Sequence, residues 1–209
     1  GRTLTLKGKE MLHFGTCEYL ALGQDPRLKA AAIDQINKCG VQFAVSRAYV
    51  SSRINIELEE TLSGIFEKPV LISSSTSLGH IAVIPAVVRD EDVVILDHQV
   101  HASVQNGVQL FKARGGAVEM IRHNSMEMLE EKIKELRNKY QKIWYMVDGV
   151  YSMFGDFAPF EAIKTLMNKY EQLHIYVDDA HGMSWKGKHG RGYALHLSLI
   201  HISEPTRLR

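Results

Sequence analysis

Trp144-Tyr145-Met146-Val147-Asp148-Gly149-Val150-Tyr151-Ser152-Met153 and Ile175-Tyr176-Val177-Asp178-Asp179-Ala180-His181-Gly182 are two versions of one pattern. Each is a short, β-prone apolar run that stops on a carboxylate, and the second adds a histidine soon after. Short apolar runs bounded by turn residues read as buried strands. In open α/β sheets, ligands sit off the carboxyl ends of such strands. Packing gives a buried strand no reason to finish on Asp, and an ionised carboxylate at its mouth needs a cationic or donor partner. Asp178 therefore reads as a group that awaits a positive charge.

Outward from these runs, strand and helix alternate. Val70-Leu71-Ile72 predicts a strand, followed by the loop Ser73-Ser74-Ser75-Thr76-Ser77 and an apolar helix from Leu78 to Val88 that Pro85 should kink or shorten. Val93–Leu96 is a strand ending in Asp97, and a helix runs from His101 to Lys112. Ala117–Ile121 is the next strand, after which Asn124 and Glu127 read as a capping box that starts a helix through Leu129, Ile133 and Leu136. A further helix follows Pro159. This alternation gives an α/β fold with a largely parallel sheet and helices on both faces.

Before it, Leu4–Phe14 reads as a hairpin around Lys7-Gly8-Lys9. Asp25-Pro26 opens a helix that Gly40 stops, and a second helix spans Ile54–Glu67. The text divides into a segment 1–50, the hairpin and first helix; a ligand-binding domain, 51–196; and a tail, 197–209. The tail, Leu197-Ser198-Leu199-Ile200-His201-Ile202-Ser203-Glu204-Pro205-Thr206-Arg207, resembles the translation of a transposon mosaic-end sequencing adapter. Read otherwise, Leu195, Leu197 and Leu199 alternate as in a strand. The adapter reading makes this chain a fragment truncated at its C-terminus, and a first residue other than Met reads as an internal start, with the chain cut at the front as well.

Composition excludes more than it identifies. Apolar residues make up 45% and charged residues 23%, with a net charge of +1, so nothing electrostatic favours nucleic acid or an anionic membrane. No apolar run approaches the roughly 20 residues of a bilayer span. Cys17 and Cys39 form neither a disulfide framework nor a metal-ligand spacing, which fits a reducing cytoplasm.

Four constellations carry chemistry. Asp178-x-x-His181 sets a carboxylate against a protonated heterocyclic nitrogen with an imidazole within reach, although a capped loop has the same spelling. In Asp97-x-x-x-His101-Ala102-Ser103, His101 opens a helix, where the dipole disfavours a protonated ring; a neutral imidazole there can stack on a ligand or simply face water. Ser74-Ser75-Thr76 lies between a strand and a helix, where free N–H groups hold a phosphate or are merely capped. Ser152 follows Asp148-Gly149 in a strand-end loop, a place where most serines satisfy backbone.

Together these residues resemble the α-oxoamine synthases among the fold-type-I pyridoxal 5'-phosphate (PLP) enzymes. That family includes glycine C-acetyltransferase, 8-amino-7-oxononanoate synthase, 5-aminolevulinate synthase and serine palmitoyltransferase. The resemblance runs through Tyr19-Leu20, Asp25-Pro26-Arg27, Ser46-Arg47, Leu58-Glu59, Ser73-Ser74, Asp97-x-x-x-His101-Ala102-Ser103, Asp148-Gly149-Val150-Tyr151-Ser152-Met153-x-Gly155-Asp156, Val177-Asp178-Asp179-Ala180-His181 and Gly187-x-x-Gly190-Arg191-Gly192.

The resemblance implies the fold-type-I large domain, with 1–50 contributing to a small domain or dimer contact, and PLP as cofactor. His101 would stack on the pyridine ring, Asp178 would pair with its protonated nitrogen, and His181 with Ser152 would reach its phenolic oxygen. N–H groups at Ser75 and Thr76 would hold the phosphate. The implied reaction condenses an amino acid with an acyl thioester, on coenzyme A or an acyl-carrier protein, usually with decarboxylation to an α-amino ketone. The implied assembly is a cytoplasmic homodimer.

The chain departs from the pattern at Cys17, where an Asn is usual, and at Ser75-Thr76, where Gly and an aromatic are usual. The Schiff-base lysine should follow Asp178 by about thirty residues, inside the adapter-like tail. This polypeptide is therefore expected not to turn over. Two other readings share the fold: an aminotransferase or lyase, disfavoured by a histidine where an aromatic usually stacks, and a non-catalytic partner subunit of a serine palmitoyltransferase-like complex.

Overall fold

The computed structural model describes residues 3–42 and 46–196; the adapter-like segment 197–209 lies outside the described residues. Two compact units divide between Ile54 and Asn55. In the first, β1 (Thr3–Leu6) and β2 (Lys9–Leu12) form an antiparallel hairpin. Its two turn residues, Lys7 and Gly8, both take positive φ, 51° and 74°, which matches the twist of the flanking strands. α1 (Pro26–Cys39) begins as its sequence requires: Asp25 accepts the Arg27 N–H at 2.8 Å, and Pro26 fills the first helical position.

The second unit is built on four parallel strands, β3 (Val93–Asp97), β4 (Ala117–Ile121), β5 (Ile143–Asp148) and β6 (Leu173–Asp178), in the spatial order β4-β3-β5-β6. Successive side chains of a strand point to opposite faces, and both faces are apolar here. Val93, Ile95, Ile143, Tyr145 and Val147 pack on one side with Leu129, Ile133 and Leu136 of α5 (Met126–Leu136) and Ile163 of α6 (Phe160–Lys169). On the other, Val94, Leu96 and Met146 meet Ile84 of α3 (Thr76–Val87) and Val104, Val108 and Phe111 of α4 (Ala102–Ala113). This is the α/β architecture with helices on both faces that the sequence implies. Among the described residues, no helix is long and apolar enough to cross a membrane.

Two local readings are corrected. Val70-Leu71-Ile72 forms no strand. Its N–H groups are taken by side chains of α2 (Arg53–Phe66): Val70 donates to Ser63 Oγ at 3.1 Å and Ile72 to Glu59 Oε1 at 2.9 Å. The donors that would build a ladder are thus already spent. Nor does Asn124 cap α5. It adopts φ 53°, Ser125 becomes the N-cap and accepts from Met128 N–H, and the Asn124 amide donates instead to Phe157 O at 3.1 Å.

Pro85 leaves α3 one helical bond short, and the helix ends two residues later, at Val87. α3 and α4 are packed closely. A Cβ on Gly107 would come within 2.9 Å of the His80 carbonyl oxygen and 2.8 Å of Ile84 Cδ1. Only a glycine lets these helices approach so far, and that approach seats His80 over the sheet.

Candidate active site

The site is assembled at the carboxyl ends of β3, β5 and β6, each of which ends on a buried Asp. Asp97 belongs to the β3 face covered by α5 and α6, because it alternates with Ile95 and Val93. Its oxygens are crowded with donors: Gln99 N–H and His123 Nδ1 at 2.8 Å on one, Asn124 N–H at 2.8 Å and the Tyr145 hydroxyl at 3.3 Å on the other. With both oxygens doubly engaged, Asp97 has no acceptor capacity left. It is an anchor for the loops.

His123 extends that anchor. Its other ring nitrogen lies 2.6 Å from Asp156 Oδ2, and its ring stands edge-on to Tyr151. Burial alone would lower the His123 pKa, but the Asp156 and Asp97 carboxylates together hold it above the ordinary value. The imidazole thereby ties the segment carrying Ser152 to the end of β3.

Asp148 and Asp178 face the α3–α4 side and stand opposite each other in register. Asp148 accepts the backbone N–H of His101 at 3.1 Å. Burial, with the Asp178 and Asp97 carboxylates nearby, outweighs that bond and the neighbouring His80 and pushes its pKa up to about 7. Asp178 differs. Its Oδ1 accepts Ala180 N–H at 3.0 Å and its Oδ2 lies 2.9 Å from His80 Nε2. Burial would raise its pKa, yet these two donors bring it below the ordinary carboxylate value. Each oxygen retains a lone pair, so Asp178 can accept one more donor, as a buried anion facing a heterocyclic cation must.

His101 is the N-cap of α4 and its side chain is exposed. Nδ1 accepts from Ser103 N–H at 3.2 Å and from the Ser103 hydroxyl at 2.6 Å. A nitrogen that accepts carries no proton, so a neutral ring bears its proton on Nε2.

At the opening of α3, Ser75 is the N-cap and accepts Leu78 N–H at 3.2 Å. The N–H groups of Thr76 and Ser77, in the first turn, have no acceptor within the helix. Thr76, His80, Asp178, Ala180, Met183 and Arg191 line a cavity of about 560 Å³. The structure therefore brings Thr76 and Asp178 to one cavity, while Ser75 lines a second one that shares Thr76 and His80 with it. His181 is half-buried in the turn after Asp178, with its carbonyl accepting Trp185 Nε1–H at 2.6 Å. Ser152 is exposed in the turn after β5.

The sequence reading passed over His80, Tyr176 and Asp179. His80 Nδ1 lies 2.6 Å from Tyr176 Oη, and both it and the Asp178 carboxylate are buried. Two signals pointed to it: His80 is the one ionisable residue in an otherwise apolar helix, and Tyr176 precedes Asp178 by two, hence on the same face. Asp179 accepts Ala194 N–H at 2.9 Å, and burial raises its pKa to about 6. Gly149, Gly182 and Gly192 all crowd its carboxylate so closely that a Cβ on any of them would collide with it. Asp179 is thus the peg on which the glycine-rich segment is hung. Among the described residues, no group of His, Cys, Asp and Glu is arranged to hold a metal ion.

Relatives bear on this arrangement. The chain is 39% identical over 196 residues to the 8-amino-7-oxononanoate synthase of Thermoanaerobacter pseudethanolicus, covering 93% of this chain and 49% of that one. It is 37% identical over 202 residues to the same enzyme of Thermosipho melanesiensis, covering 95% and 50%. Among solved structures, a serine palmitoyltransferase from S. paucimobilis with bound PLP-myriocin aldimine superposes with a TM-score of 0.84 at 28% identity, covering 95% of this chain and 50% of that one. The Sphingomonas wittichii serine palmitoyltransferase gives 0.84 at 28% identity, over 94% and 49%. The chain spans about half the length of the curated relatives it matches. The α-oxoamine synthase resemblance drawn from the motifs is borne out by these relatives. The profile of aminotransferase class I and II matches residues 9–199, so strand-end carboxylates, helix starts and relatives agree: the chain belongs to that family.

Proposed function

We propose that the protein is a PLP-dependent acyltransferase of the α-oxoamine synthase type, which condenses an amino acid with a coenzyme A- or acyl-carrier-protein-borne acyl thioester. The observation that carries this reading is Asp178: a buried carboxylate, held ionised by two donors and with acceptor capacity to spare, at the strand end beside an open helix start. The residues fit the cofactor by the chemistry of their donors. Asp178 suits a pyridinium nitrogen, the start of α3 suits a phosphate, and the exposed neutral His101 suits a ring face.

PLP, when bound, supplies an electron sink for negative charge developing at the amino acid's α-carbon. Asp178 would keep the proton on the ring nitrogen, without which the sink is shallow. His101 would lie against the ring, its orientation fixed by Ser103. The N–H groups at Ser75 and Thr76 would hold the phosphate, joined by that of Ser77 in the same turn. His181 and Ser152 would contact the phenolic oxygen. The enzyme would act in the cytoplasm, with Cys17 and Cys39 both as free thiols, and as a homodimer.

The test uses the full-length protein with PLP, candidate amino acids and acyl-CoA, and follows thiol release and the absorbance of bound PLP. Wild type is expected to release thiol only when both substrates are present. Asp178→Asn should lower the rate by about two orders of magnitude or more while still binding PLP, because general electrostatic support of this kind is worth several kcal/mol. A wild-type protein that transaminates and releases no thiol overturns the acyltransferase reading, and one that binds no PLP overturns the cofactor reading.

A further inference from the structure

Asp178 does not hold itself in place. On one side its Oδ1 takes a local backbone N–H, from Ala180. On the other, its Oδ2 takes Nε2 of His80, a residue from α3 that is 98 positions away in the chain. His80 is itself held: Nδ1 meets the Tyr176 hydroxyl at 2.6 Å, and the two rings stand edge to face with centroids 5.6 Å apart. The Asp178 carboxylate oxygen at Nε2 accepts, so Nε2 donates to it, and the Tyr176 hydroxyl, which burial keeps protonated by raising its pKa to about 12, can donate to Nδ1. An Nδ1 that accepts leaves the ring proton on Nε2, aimed at the carboxylate. The chain of donors runs one way, Tyr176 to His80 to Asp178.

The backbone around this relay is fixed too. The carbonyl of His80 is the group against which Gly107 of α4 packs, so α3 cannot slide without opening the helix contact. Tyr176 and Asp178 share one face of β6. Two residues from two elements, His80 of α3 and Tyr176 of β6, thus converge on one carboxylate orientation.

Resting on the PLP reading above, we propose that His80, backed by Tyr176, is the positioning residue of Asp178: it orients the carboxylate and keeps it ionised toward the pyridine nitrogen of the cofactor. His80 acts through Asp178 and is not itself a catalytic residue. A hydrogen bond to a charged group, removed from a buried site, changes an equilibrium by about 10- to 100-fold. The consequence should appear in the protonation of the cofactor nitrogen, which a purely structural histidine would leave alone.

The experiment measures the ¹⁵N chemical shift of ring-labelled PLP bound to the full-length protein, together with the PLP dissociation constant, for wild type, His80→Leu, His80→Gln and Tyr176→Phe. In wild type the ring nitrogen should be protonated through the neutral range. His80→Leu should shift its loss of proton to lower pH and weaken PLP binding by about tenfold or more. His80→Gln, whose amide N–H can still donate to Oδ2, should restore both to within about threefold of wild type. Tyr176→Phe, which deletes one hydroxyl from a protein otherwise unchanged, should move the nitrogen in the same direction by less. A ring nitrogen that titrates identically in wild type, His80→Leu and Tyr176→Phe overturns the inference while leaving the PLP reading intact. Wild-type protein that binds no PLP overturns both.

Discussion

Asp148 and Asp178 sit opposite each other on neighbouring strands, yet their proton affinities diverge. The difference lies in donors: among the described residues, Asp178 has Ala180 and His80, and Asp148 has the N–H of His101. Two carboxylates in one apolar corner cannot both be charged cheaply, and the one with fewer donors takes the proton. For Asp148 the folded pKa, about 7, lies above its ordinary 3.8. The folded protein therefore binds the extra proton between those limits, and stability falls as pH rises through that window. Asp148→Asn keeps an acceptor for His101 N–H but cannot ionise. At pH above about 7 the variant is expected to be more stable than wild type, by up to about 4 kcal/mol at 1.36 kcal/mol per pKa unit, with the gain vanishing in acid. Urea unfolding measured at several pH values checks it, and an equal difference at every pH would show that the effect is not ionisation.

At the scale of elements, the contact between α3 and α4 decides where the site's helix-borne parts stand. Gly107→Ala would press a methyl against the backbone of His80, which cannot swing away as a side chain end can. The expected cost is about 1–3 kcal/mol of stability, and the strain falls on the segment that carries His80. Thermal unfolding should show the loss. Fluorescence of bound PLP in the full-length protein should report a displaced site, whereas Gly64→Ala, at an α2 glycine with nothing near its Cβ position, gives no such displacement. The elements themselves were largely legible. β3, β5 and β6 announced themselves because a run such as Ile175-Tyr176-Val177 ending in Asp has little other use, and the Asp25-Pro26 start of α1 is local chemistry. Val70-Leu71-Ile72 misled because its N–H groups pair with Ser63 and Glu59, an arrangement no local pattern specifies. His80 was missed for a similar reason. Its meaning depends on pairing with Tyr176 and Asp178, and tertiary pairing across so much chain is not written in spacing. Asp178 could be read because a buried strand-end carboxylate is anomalous by itself.

At the scale of the molecule, α3 poses a question of cover. Its sequence, Thr76–Val87, is apolar almost all round, and such a helix belongs where both sides are covered. Ile84 is buried toward the sheet, but Leu78, Ile81, Val83 and Val87 remain exposed, with Leu110 of α4 exposed as well. Contiguous apolar surface of this kind marks an interaction face. The occupant expected here is a second copy of the protein, as the homodimer proposed above requires, because a twofold interface lets one self-complementary patch cover itself. Sedimentation of the full-length protein should give a dimer at micromolar concentration. Val87→Asp, at the end of α3 away from the Thr76 opening, should shift the equilibrium toward monomer, because an interfacial charge left unpaired costs several kcal/mol. A wild-type monomer that is fully active refutes the dimer, and a Val87→Asp protein that dimerises as tightly as wild type places the interface elsewhere on the molecule.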